Sequence, residues 1–265
     1  MSFAVPVAEE PAAAVAPSGP PLLRIEHVTV DFDGFKALND LDLTIQAGTL
    51  TVVIGPNGAG KSTMCDAVIG RVRATSGRIL FRGEDISKQA EDKIVGRGIC
   101  RKFQTPGVLI GLSVFDNLLI AAAKDRRWWR NLRLTPPASV REKAEEVMAT
   151  VGLTERRDTL AGSLSHGEKQ WLEIGMVVAT EAELILLDEP TAGMGAAEST
   201  RTAEIVRDLI GVHSVLVIDH DIDFVEQLGG HVAVLHQGHL FKEGSLAEVR
   251  NDPDVASIYL GRPKA

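Results

Sequence analysis

The run GPNGAGKST, Gly55 to Thr63, decides the fold, read together with the apolar TLTVVI at 49–54 that leads into it. Its GxxxxGK[ST] spacing, between a short buried strand and the start of a helix, predicts a loop that wraps an anion. Gly55, Gly58 and Gly60 let the backbone close on the ligand, and N–H groups of the loop and helix start point at a phosphate. The whole loop (Gly55, Pro56, Asn57, Gly58, Ala59, Gly60, Lys61, Ser62, Thr63) is therefore read as the phosphate site for a nucleotide. Lys61 is expected to reach the β- and γ-phosphates, and the Ser62 hydroxyl to ligate Mg2+.

Two further apolar runs, AELILLDE at 182–189 and SVLVIDH at 214–220, have the length and composition of strands buried on both faces. With the helical spacing that follows each, they predict an α/β fold around a parallel sheet. The first ends in LLDEP, which places a carboxylate where a buried strand stops. Asp188 is the expected Mg2+ partner, and Glu189 the general base that orients or deprotonates the attacking water.

Around these runs the chain divides. Residues 1–21, with five prolines and no apolar period, read as a flexible extension. LLRIEHVTVDF and ALNDLDLTI alternate as half-buried antiparallel strands do. SVREKAEEVMATVGL places Val140, Ala144, Val147, Met148 and Val151 on one helical face, within an inserted helical subdomain expected over roughly 105–180. HVAVLHQGHLFKEGS predicts two strands about a Gln237-Gly238 turn, then a short C-terminal helix.

Composition narrows the function. A chain of 265 residues that is 45% apolar can bury a sizeable core. A net charge of -8 argues against a general nucleic-acid binder. Cys65 and Cys100 form no framework, which fits a reduced cytoplasmic setting. No apolar run approaches the roughly 18 residues of a membrane span, so any membrane role is expected from outside the lipid.

A third motif, LSHGEKQWLEIG at 164–175, follows the helical block. Ser165 and Glu168 have the spacing of a capping box, which leaves Gly167 unexplained. With the phosphate loop upstream and LLDEP downstream, the chain from Leu22 onward resembles the ATP-binding-cassette ATPases, and LSHGE resembles their signature motif. The resemblance implies an antiparallel β subdomain, a mixed or parallel core sheet and the helical insert. It also implies roles for single residues. Gln104 would sense Mg2+ and nucleotide and couple to a partner, His220 would contact the γ-phosphate, and Phe32 would stack on adenine. Ser165 and the Gly167 backbone would bind the γ-phosphate of ATP held by an opposite subunit. Two departures stand out: Glu168 where Gln is common, and Gly195 where an aspartate is.

A compact single cassette resembles the energising subunit of an importer, bound peripherally to the inner face of the membrane through permease subunits and served indirectly by a solute-binding protein. LSHGEKQWLEIGM is most similar to urea-transporter subunits, with the branched-chain amino acid group as the alternative and a mechanical or regulatory cassette as the alternative of another class. By the same resemblance the second cassette subunit is a different chain, giving a heterodimer. KDRRWWRNLR, Lys124 to Arg133, reads as an exposed loop whose tryptophans cover the insert, or as a patch near permease or membrane.

Overall fold

The computed structural model describes residues 21–102, 107–123 and 136–260. The proline-rich extension through residue 20, Gln104 and the Trp128–Trp129 segment lie outside the described residues.

β1 (Pro21–Phe32) and β2 (Phe35–Gln46) pair antiparallel, and with β4 (Ser76–Phe81) and β5 (Glu84–Asp85) they make a four-stranded sheet in the order β2-β1-β4-β5. Pro21 already belongs to β1, one residue inside the segment read as extension. A proline is tolerated at a strand start because the ladder need not use its missing N–H.

The larger sheet runs β10-β9-β3-β8-β7-β6. Its parallel members are β3 (Leu50–Ile54), β6 (Ile99–Lys102), β7 (Leu184–Asp188), β8 (Ser214–Ile218) and β9 (His231–His236). β10 (His239–Ser245) returns antiparallel to β9 around Gln237-Gly238. Successive strand residues point to opposite faces, and here both faces are covered. Val52, Ile185, Leu187, Val215 and Val217 enter one core, while Val53, Leu184, Leu186, Leu216 and Ile218 enter the other. Double burial is why these strands read as unbroken apolar runs rather than alternating ones.

The second core lies between the two sheets and holds Met64, Cys65 and Val68 of α1 (Lys61–Val68). The first lies under α3 (Val114–Ala122), α4 (Ala138–Thr150), α5 (His166–Ala179), α6 (Ala196–Leu209) and α7 (Ile222–Leu228). The α4 face is buried through Ala144, Val147 and Met148, with Val151 following it into the same core. The helices α3, α4 and α5 form the block between β6 and β7. α2 (Glu91–Arg97) precedes β6, and two short helices close the described chain, α8 (Leu246–Arg250) and α9 (Pro253–Leu260), where the sequence suggested one.

Candidate functional site

The phosphate loop spans the turn from β3 to α1. Gly60 caps α1 at φ +104 and supplies no side-chain cap, leaving first-turn N–H groups of the helix open toward the loop. A Cβ on Gly60 would lie 2.5 Å from the Ala37 carbonyl oxygen, and one on Gly55 would lie 2.3 Å from that of Leu235. Only glycine fits between these neighbours. The loop is fastened from outside: Gly238 N–H donates to Ala59 (3.0 Å), and Asn39 N–H donates to Gly238 (3.0 Å), so the β9–β10 turn joins β2 to the loop. Asn57, Gly58 and Ser62 are exposed, and Thr63 is half-buried.

Lys61 is buried and donates from Nζ to the carbonyls of Gly55 (2.6 Å) and Pro56 (3.0 Å). Burial lowers its pKa from the usual lysine value, against the opposing charges of Glu189 and Asp188. A cation held inside an uncapped, glycine-lined loop suits a phosphate. The hydroxyl and carboxylate oxygens of Ser62 and Asp188 suit a hard divalent ion such as Mg2+.

Asp188 closes β7 and is buried; its Oδ2 accepts from Arg101 Nη2 at 2.5 Å. Glu189, the next residue, takes φ +46, a left-handed conformation that costs a non-glycine residue energy. Its N–H donates to Ile218 (2.8 Å) at the end of β8, and this holds the turn. His220 Nδ1 stands 3.6 Å from Glu189 Oε1, so the two exposed tips face each other across the ends of β7 and β8. Beneath them Asp219, 1% exposed, accepts from Thr191 Oγ1 (2.8 Å) and from the N–H groups of His220 (2.7 Å) and Asp221 (3.0 Å). The sequence reading passed over Asp219, although a charge inside the apolar run VLVIDH was a usable signal.

Phe32 is 49% exposed and pairs across the β1–β2 hairpin with Phe35, 66% exposed, an aromatic the sequence reading also missed. Ala37, two residues on, abuts Gly60, which places this aromatic tip on the approach to the loop. Gln104 lies outside the described residues, immediately beyond β6 in the chain.

The signature segment begins α5. Ser165 is its N-cap, accepting from Glu168 N–H (3.2 Å), while Glu168 Oε2 accepts from Ser165 N–H (2.8 Å). Arg156 Nε donates to Glu168 Oε1 (2.8 Å). The Glu168 carboxylate is thus spent within its own chain rather than left at a phosphate-facing edge. Ser165 is exposed, whereas Gly167 is buried. A Cβ there would meet Glu198 Oε1 of α6 at 2.5 Å, and Glu198 Oε2 accepts from Gly195 N–H (3.1 Å). The glycine therefore admits Glu198, an intramolecular reason different from close approach to phosphate. His166 Nε2 donates to the Ala192 carbonyl (2.9 Å), and Trp171 Nε1 donates to Thr202 Oγ1 (3.0 Å), so the start of α5 is clasped to the segment after Glu189.

Two cations at the end of β6 complete the site. Lys102, buried, bonds Gln170 and stands 3.6 Å from buried Glu173 on α5. Burial lowers the lysine's pKa and raises the glutamate's, and each partner's charge opposes the shift of the other. Beside them opens an apolar groove of about 820 Å³ between α2 and the helical block, lined by Ile69, Val95, Leu109, Ile120 and Met176.

The model of the family described as ABC transporter matches residues 38–192. The chain is 34% identical to the "Probable branched-chain amino acid transport ATP-binding protein LivG" of Archaeoglobus fulgidus, covering 91% of this chain and 95% of that protein. It is 32% identical to the high-affinity branched-chain amino acid transport ATP-binding protein BraF of Pseudomonas aeruginosa, covering 91% and 98%. Among solved structures, an ATP-binding cassette of an ABC transporter in its ADP conformation superposes with a TM-score of 0.80 at 32% identity, covering 92% of this chain and 100% of the other.

Proposed function

This chain belongs to the ABC transporter family of ATP-hydrolysing cassettes, and from that premise we propose that it energises a membrane importer of branched-chain amino acids. The observation that carries the ATPase chemistry is the buried Lys61 of the loop under the charges of Glu189 and Asp188, with His220 beside Glu189. Lys61 would exchange its carbonyl partners for phosphate oxygens. Glu189 would take the proton of the attacking water, with His220 on its far side to position the γ-phosphate. Ser62 and Asp188, with Gln104, would hold Mg2+, which when bound neutralises developing charge on the phosphates.

The relatives that act in branched-chain amino acid transport support that solute over urea. Among the described residues no helix is long and apolar enough to cross a membrane, and the solute path is assigned to separate permease chains. The groove beside β6 borders the chain that leads to Gln104, so a permease segment seated there would reach both α5 and the site. Ser165 is exposed at the head of α5, where an opposing cassette would bring its own ATP. We assign that role to a second, different cassette subunit. Glu168 gives no support to this asymmetry, because its carboxylate is engaged internally.

Uptake by cells lacking the gene tests the proposal. Loss of leucine, isoleucine and valine uptake with urea uptake intact is expected; the reverse pattern would move the assignment to urea. Intact uptake of both would favour the mechanical or regulatory alternative.

A further inference from the structure

The Mg2+ reading leaves Arg101 unexplained. Arg101 lies on β6, next to β7, and its side chain is 6% exposed. Its guanidinium is a fork with one arm on each of two carboxylates: Nη2 donates to Asp188 Oδ2 (2.5 Å) and Nη1 donates to Asp66 Oδ1 (2.6 Å). Nε is buried and has no partner among the described residues. Asp66 stands four residues after Ser62 on α1, and that spacing puts the two on one helix face. The metal-donor pair Ser62 and Asp188 is thus flanked by a buried cation and a second carboxylate that shares it.

We propose that Arg101 is the built-in counter-cation of Asp188, a positioning residue that neutralises this carboxylate in the metal-free protein and thereby limits how tightly the site takes a divalent ion. A buried carboxylate at the end of a strand cannot stand unpaired without a large desolvation cost. Arg101 removes that cost whether or not a metal is present. Because Nη1 already rests on Asp66, Arg101 can release Asp188 and remain paired; the exchange loses one hydrogen bond and leaves no buried charge alone. Asp66, with its side chain 30% exposed, is the resting place for the released arm.

The inference rests on the ATPase reading, and its test separates the two. Mn2+ serves as the probe, with free and bound ion measured by electron paramagnetic resonance in the presence of ATP, on the full chain carrying Glu189→Gln to suppress turnover. No ATP binding by that parent would count against the ATPase reading itself. Given binding, Arg101→Met should tighten Mn2+ binding by roughly tenfold or more, because a positive charge beside the ion is removed. Arg101→Lys, which loses the fork but keeps the positive charge beside the ion, should stay within about threefold of the parent. Asp66→Asn should weaken Mn2+ binding by roughly threefold or more, because Arg101 then commits to Asp188. In the Arg101→Met background it should have no further effect. Unchanged or weaker Mn2+ binding by Arg101→Met overturns the proposal, since a merely structural arginine would change stability without tightening the ion. Should Arg101→Met not fold, Asp66→Asn decides: unchanged or tighter Mn2+ binding overturns it.

Discussion

Gly167→Ala separates two reasons for a glycine in the first turn of α5. The added Cβ would lie 2.5 Å from Glu198 Oε1 and 2.8 Å from Glu198 Cδ, against ordinary contact distances of 3.4 Å and more. The clash is with the far end of a flexible side chain, so the carboxylate would swing away by roughly 1 Å and lose its bond from Gly195 N–H. Gly195 is exposed and water can take over, which limits the cost to about 0.5–1.5 kcal/mol. Replacing glycine by alanine in a helix returns up to about 1 kcal/mol. The expected net change is within about 1 kcal/mol, a Tm shift of no more than about 4 °C for a chain of this size. The sharper expectation is a sign. With Glu198→Ala already in place the clash is gone, and Gly167→Ala should then stabilise by roughly 0.5–1 kcal/mol. Thermal and urea denaturation of the four members of this cycle measure the coupling. A Gly167→Ala penalty of roughly 3 kcal/mol or more in both backgrounds would refute the reasoning, because the obstacle would then not be Glu198.

Three other outcomes follow from the site. Glu189→Gln should keep ATP affinity near the parent value while lowering turnover by roughly 100-fold or more, read by nucleotide titration beside steady-state phosphate release; normal turnover would remove Glu189 from the role of base. Lys61→Ala should lose nucleotide affinity by roughly tenfold or more, since its charge meets ground-state phosphates; parent-like binding in the same titration would detach Lys61 from the phosphate site. The Ser165 N–H, with help from Arg156 and against some burial, holds the Glu168 carboxyl below the usual glutamate range. A depressed folded value contributes stability above the unfolded pKa near 4.5 and loses it as pH falls through the folded value. The gap in stability between parent and Glu168→Ala, roughly 0.3–1 kcal/mol at neutral pH, should therefore close as pH falls through the folded value; a gap still full once that carboxyl is protonated would show that Glu168 acts by packing alone.

What could be read from the sequence was whatever a local pattern encodes. The phosphate loop, LLDEP and the capping box each fit in one short window, and double burial writes itself into TLTVVI, LILLD and SVLVI as unbroken apolarity. Gly167 shows where that method stops: the odd residue was visible, but the side chain that needs the space, Glu198, belongs to another helix. The same limit hid the end of β6. Arg101 and Lys102 look like a polar strand edge, because the partners that neutralise Arg101 are 35 and 87 positions away in sequence. Once β6 is known to be a strand, its geometry is restrictive. Adjacent residues must project to opposite faces, so Arg101 goes to the α1 side and Lys102 to the α5 side. Two buried cations on opposite faces require a carboxylate on each, and the chain supplies Asp66 with Asp188 on one and Glu173 on the other. One four-residue strand is thus bonded at its end both to Asp188 and to the helix capped by Ser165, through two adjacent residues that face opposite ways.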